Sequence, residues 1–135
     1  MNYKVEEVEG IGPQYGAKLV EAGIEDTAKL LEQCGSRKGR EEIAEKTGLS
    51  TKQLLQWANQ ADLMRLNGIG KQFSELLEAA GVDTVKELAC RNAANLAKAM
   101  ADTNAEKKLA KSSPAESEVA KWIEEAKNTE PCISH

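Results

Sequence analysis

Apolar residues recur along this chain at three- and four-residue spacing, and Gly, Pro, Ser, Thr and Asp cut the pattern into short helices. The stretch EVAKWIEEA is the plainest case, with Val119, Trp122, Ile123 and Ala126 on one stripe. Ser113 as N-cap, Pro114 at the first position and Glu116 at the third open its helix. Upstream, Pro13 suits a first helical position, Gly23 a C-terminal end, and Asp26 the cap of a helix that runs to Cys34 and stops at Gly35. The polar loop GSRKG precedes a helix over 40–47, which Gly48 ends. Ser50 with Gln53 forms a capping box for a helix through Trp57 to Ala61. The same punctuation predicts helices over 71–80, over 84–90 with Glu87 closing a capping box, and over 92–101. DTNAEKKLAKS reads as a loop with a short helical piece, and NTEPCISH as a poorly ordered tail.

The pattern occurs twice. Gly10-Ile11-Gly12 aligns with Gly68-Ile69-Gly70, and in the same register Gln14 meets Gln72, Tyr15 meets Phe73, Leu19 meets Leu77, and Ala22-Gly23 meets Ala80-Gly81. Asp26-Thr27 and Asp83-Thr84 match after a one-residue slip, and Trp57 and Trp122 follow in similar stretches. The chain therefore reads as two related units, 1–62 and 63–128, ahead of a disordered tail at 129–135. The connecting QADLMRLNG contains apolar residues and no flexible linker, so the two units are expected to share an interface.

Two helices joined by apolar-x-Gly-apolar-Gly make a helix-hairpin-helix, and VEGIG and LNGIG both fit. Glycine admits backbone angles denied to other residues and lets another chain come close, while Ile11 or Ile69 points inward to anchor the turn. Behind the second Gly, N–H groups at a helix start face outward with the positive end of the helix dipole, a geometry that holds a phosphate oxygen without reading a base. Pro13 lacks an N–H and Glu9 brings a negative charge to the first turn, whereas Lys71 and Asn67 stand in the second with Arg65 just upstream. The nucleic-acid-binding candidates are thus Gly68, Ile69, Gly70, Lys71, Gln72 and Arg65, with Gly10, Gly12, Lys107, Lys108 and Lys111 of second rank. The plainer reading stands beside this one: both turns also work as purely structural joints. Arg37, Lys38 and Arg40 sit beside Glu41-Glu42 and read as a solvated loop, and Trp57, Trp122, Tyr3, Tyr15 and Phe73 read as core packing rather than base stacking.

Few aromatics, abundant Ala, Leu, Glu and Lys, and no strand-forming runs make the expected fold all-α: two tandem helix-hairpin-helix (SAM-like) units of about four helices each. With 18 Lys plus Arg against 22 Asp plus Glu, the net charge of −4 gives no general attraction to nucleic acid or anionic membrane, so any phosphate contact must be local. Cys34, Cys90 and Cys132 show no Cys-x-x-Cys spacing and read as small, partly buried apolar residues. There is no Walker-type loop, and the lone His135 lies at the terminus, so no catalytic residue, metal site or cofactor is expected. The start MNYKVEEVEG has no signal-peptide core and no run is apolar enough to cross a bilayer, from which a soluble cytoplasmic protein is expected.

The stretches EGIGPQYGAKLVEAGI, TGLSTKQLLQWANQADLMRLNGIGKQFSELLEAAGVDTVKELA, NAEKKL and EVAKWIEEAK resemble a widespread bacterial family of uncharacterised proteins, a domain-of-unknown-function family often labelled helix-hairpin-helix. Each unit is more loosely similar to the helical amino-terminal domain of archaeal and eukaryotic recombinases, and TGLS then corresponds to a degenerate hairpin inside the first unit. The resemblance implies a tandem helix-hairpin-helix fold of the kind that contacts the sugar-phosphate backbone, and it supplies no activity. The partners it leaves open are DNA or RNA backbone or, where the hairpins are only structural, a protein partner or a second copy of the chain.

Overall fold

The structure, a computed structural model, describes residues 2–134; Met1 and His135, and the expectation of a frayed terminus at His135, lie outside the described residues. Among the described residues a 3-10 turn, Val5–Glu7, precedes eight α-helices: α1 (Gly12–Glu21), α2 (Thr27–Cys34), α3 (Arg37–Thr47), α4 (Thr51–Met64), α5 (Lys71–Ala79), α6 (Val85–Ala89), α7 (Ala93–Lys107) and α8 (Glu116–Lys127). No strand forms among the described residues, only an isolated antiparallel bridge between Lys4 and Asp26, so the fold is all-α.

Local chemistry sets most helix boundaries. α1 ends at Gly23 (φ +90°), where Gly23 N–H donates to Val20 O at 2.9 Å and Ile24 N–H to Leu19 O at 2.8 Å. α5 ends the same way, with Gly81 N–H on Glu78 O at 3.0 Å and Val82 N–H on Leu77 O at 2.8 Å. Asp26 caps α2 by accepting from Lys29 N–H at 2.8 Å, and that bond, followed by one from Asn2, holds its carboxyl below the usual carboxylate range. Ser50 and Gln53 form the expected capping box on α4, with Gln53 N–H on Ser50 Oγ at 3.0 Å.

Several boundaries differ from the sequence reading. Ser36 accepts from Gly39 N–H at 3.1 Å, so α3 begins at Arg37 inside the stretch expected to be a loop. α4 continues through Met64, because Leu63 and Met64 are both fully buried and Asp62 holds Arg65. α7 runs on through Lys107, and buried Asn104 then ties down the following loop, accepting from Ala110 N–H at 2.9 Å and donating to Ala110 O at 3.1 Å. α8 starts later than expected: Ala115 is its N-cap and Glu118 takes the Ala115 N–H, while Pro114 is buried ahead of the helix. On α6, Thr84 caps by accepting from Glu87 N–H at 3.0 Å, but the Glu87 carboxylate pairs with Arg91 and does not close a box.

The buried apolar residues fall into two clusters. The first gathers Val5, Val8, Ile11, Leu19, Ile24, Leu30, Cys34, Ile43, Leu54, Trp57 and Met64 from the chain up to α4; the second gathers Leu63, Leu66, Ile69 and the apolar faces of α5 to α8. Full burial of a side chain of this size contributes about 1.5–3 kcal/mol, so these clusters carry the main stabilising term. α4 serves both, since Leu63 enters one cluster and Met64 the other, and α4 packs against α2, α3, α5 and α6. Gln56 and Gln60 of α4 reach Glu78 of α5, so polar contacts cross between the clusters as well.

Residues 130–134 carry no helix or strand, and hydrogen bonds connect them to the rest of the fold. Ser134 N–H donates to Gly35 O at 2.8 Å, Arg40 to Ser134 O at 2.6 Å, Cys132 N–H to Asp62 at 3.3 Å, and Arg65 to Glu130 O at 2.9 Å. Buried Arg40 and Asp62 need polar partners, and the backbone of this segment supplies them.

Candidate functional site, the two Gly-Ile-Gly turns

The two turns are built alike. Ile11 N–H donates to Val8 O at 3.1 Å and Ile69 N–H to Leu66 O at 3.2 Å, and both isoleucines are buried, Ile69 completely. Gly10 (φ +89°) and Gly68 (φ +88°) hold left-handed angles against a tryptophan: a Cβ would meet Trp57 Nε1 at 3.3 Å and Trp122 Nε1 at 3.0 Å. Each indole is in turn packed by an aromatic of the following helix, Tyr15 on Trp57 at 5.4 Å and Phe73 on Trp122 at 5.2 Å between ring centroids. Trp57 and Trp122 are therefore core residues, each 3% exposed. The second glycines differ: Gly12 is left-handed at φ +62°, whereas Gly70 is extended at φ −104°.

The first bond of the α5 ladder runs from Ser74 N–H to Gly70 O at 2.9 Å, which leaves the N–H groups of Lys71, Gln72 and Phe73 ahead of it. Lys71 and Gln72 are exposed. Lys71 also lines a cleft of about 530 Å³ whose other walls are Glu6, Val8 to Tyr15 and the first Gly-Ile-Gly turn itself. The lysine that follows the second turn thus stands before the first, beside Glu6 and Glu9. Tyr3 comes to the same region, its hydroxyl 3.5 Å from the position a Cβ on Gly70 would take.

Arg65 does not join Lys71 as an unengaged cation. Its Nε donates to Asp62 at 2.7 Å, its Nη2 is ion-paired with the same carboxylate, and it reaches Glu130 O. Glu125 of α8 accepts the Asn67 N–H through both carboxylate oxygens, at 3.1 and 3.3 Å, which places a negative charge at the second turn. Nothing in the sequence spacing marks Glu125, since its partner is a backbone group. Lys107 closes α7, Lys108 takes the left-handed cap position (φ 54°), and Lys111 follows, all exposed. Arg40, from the basic loop, is buried and donates to Cys34 O and Gly35 O at 3.0 Å each, so it is a structural residue.

Acidic groups meet at the same boundary. Burial pushes the Glu75 carboxyl up from its ordinary value of 4.5, the charge of Glu9 and a hydrogen bond to it push further, and Lys71 opposes them. A raised folded-state value means Glu75 contributes stability in full below pH 4.5 and loses it as pH rises through the higher folded value. Glu75→Gln, neutral at every pH, is therefore expected to raise the urea midpoint at pH 7 and to leave it unchanged in acid below that window. Equal shifts at both pH values would show that Glu75 ionises freely.

Of the cysteines, only Cys34 is buried, and burial pushes its thiol up to about 11; Cys90 and Cys132 are exposed, contrary to the expectation of partial burial. Among the described residues no group of three or more His, Cys, Asp or Glu side chains is placed to hold a metal, and no helix is long and apolar enough to cross a membrane.

A helical chain with this arrangement matches a known family model. Residues 9–129 match the model described as domain of unknown function (DUF4332), and the chain belongs to that family. Searches of curated proteins and of solved structures find no match to it.

Proposed function

We propose that this chain is a tandem helix-hairpin-helix protein of the cytoplasm that contacts nucleic-acid backbone without catalysis and without reading bases. The tandem arrangement is supported by the paired contacts of Gly10 with Trp57 and of Gly68 with Trp122, by Tyr15 and Phe73 packed on those indoles, and by matching helix ends at Gly23 and Gly81. The binding role rests on one observation: Lys71, at the start of α5, is exposed and lines the cleft in front of the first turn, so a cation stands at a helix start there. One or two phosphates would be engaged, giving weak affinity whose logarithm falls with that of the salt concentration at a slope of about −1 to −2. Lys71→Glu is expected to abolish that binding in fluorescence anisotropy of labelled single-stranded DNA, duplex DNA and RNA. Unchanged binding by the variant would remove this site from consideration.

A second reading is favoured by Glu125 on the Asn67 N–H and by Asp62 on Arg65, which use the turn's own polar groups inside the protein. In that reading the hairpins build a rigid helical scaffold and a protein, or a second copy, docks on its surface. It predicts no salt-sensitive nucleic-acid binding even at low ionic strength, and detectable salt-sensitive binding by the full chain would count against it.

A further inference from the structure

The segment after α8 connects two distant places. At one end it seats on the corner between α2 and α3: Ser134 N–H and Oγ both donate to Gly35 O, at 2.8 and 3.4 Å, Arg40 donates to Ser134 O at 2.6 Å, and Ile133 packs on the first apolar cluster. One residue thus has both its backbone N–H and its C=O bound by the corner. Gly35 permits the close approach, since a Cβ there would lie 2.5 Å from the Cys132 carbonyl oxygen. At the other end Glu130 O accepts from Arg65, and Asp62, which pairs with Arg65, accepts from Cys132 N–H. Two residues beyond Arg65, Asn67 is held by Glu125 of α8. The approach to the second Gly-Ile-Gly turn is therefore anchored to α8 and to the segment that follows it.

The hold at the corner is light. Glu130, Pro131, Cys132 and Ser134 are exposed and Ile133 is half-buried, and a cavity of about 270 Å³ remains between this segment and Leu31, Glu32, Gly35 and Ser36. Few apolar contacts and hydrogen bonds that are at most partly buried mark a part of low local stability. We propose that residues 130–134 are a displaceable strap that ties the α2–α3 corner to the second Gly-Ile-Gly turn, so that its release from the corner loosens residues 65–69. This goes beyond the nucleic-acid reading and does not depend on it.

Hydrogen exchange on the full chain tests it, with Ile133→Asp removing the apolar contact and Ser134→Pro removing the N–H that Gly35 accepts. Both variants are expected to speed exchange by roughly tenfold or more at Gly35 and Arg40 and also at Leu66 and Ile69, with Ile11 and Val82 unchanged as controls. Faster exchange at the corner alone would show that the strap does not reach the turn, and unchanged exchange would show that it holds nothing. Acceleration that includes the controls would reduce the effect to general destabilisation. Each of those three results overturns the proposal.

Discussion

Gly68→Ala is expected to destabilise the protein by about 3 kcal/mol, the largest loss from a single methyl group added to either Gly-Ile-Gly turn. Two costs combine. The left-handed angle of +88° is unfavourable for any L side chain by about 1–2 kcal/mol, and the new Cβ would stand 3.0 Å from Trp122 Nε1. Trp122 cannot yield, because it is 3% exposed and Phe73 packs on it at 5.2 Å, so overpacking adds about 1–3 kcal/mol. The other glycines set the scale. Gly12→Ala meets only the angular cost, since nothing lies within 4 Å of its Cβ, and about 1 kcal/mol is expected. Gly70→Ala, at φ −104° with Tyr3 at an ordinary 3.5 Å, is expected to be near neutral. Urea denaturation of the three variants checks the order. A Gly70→Ala loss as large as that of Gly68→Ala would mean that the second glycine defines the turn as much as the first.

That ranking bears on what could be read from the sequence. The motif presents its two glycines as equivalent, and the inward isoleucines, the caps at Asp26, Ser50 and Thr84 and the ends at Gly23 and Gly81 follow from local spacing alone. Such features depend on residues within a turn of each other, so a single chain displays them. The all-α fold and the burial of Trp57 and Trp122 were legible for the same reason, each tryptophan lying on a helical stripe. The unequal demand on Gly68 and Gly70 was not, because it comes from an indole on α8.

The candidate site divides along the same line. Lys71 and Gln72 at an exposed helix start were readable from the motif, but the entry of Lys71 into the first turn's cleft depends on how α5 packs on α4. Arg65 and Asn67 resemble available polar groups in sequence, and only folding brings Asp62, Glu125 and Glu130 to them. The extension of α7 has a similar origin. DTNAEKK has no apolar stripe to announce a helix, yet Asn104 stabilises its end by closing both hydrogen bonds on Ala110.

Arg40 shows the limit most clearly, and it leads to the second large expected effect. In sequence it belongs to a basic run beside two glutamates; in the structure it is 4% exposed and its guanidinium donates to the carbonyls of Cys34, Gly35 and Ser134. The third acceptor lies so far along the chain that no local pattern could indicate it. Arg40→Met keeps the apolar stem and removes all three bonds. Gly35 O retains the Ser134 N–H and the carbonyl of exposed Ser134 can turn to water, so the carbonyl of buried Cys34 is the one that loses its donor. Removing the charge also removes its desolvation cost, which offsets part of the loss. A net destabilisation of about 2 kcal/mol is expected in urea denaturation, with the orphaned Cys34 carbonyl costing about 1–3 kcal/mol. Arg40→Lys is expected to recover only a minor share, because an ammonium on a single stem cannot match a fork of donors spread over three carbonyls. If Lys restored full stability, charge alone would be the requirement; if Met cost nothing, water would be reaching the corner from the strap side, and the guanidinium would not be what holds it.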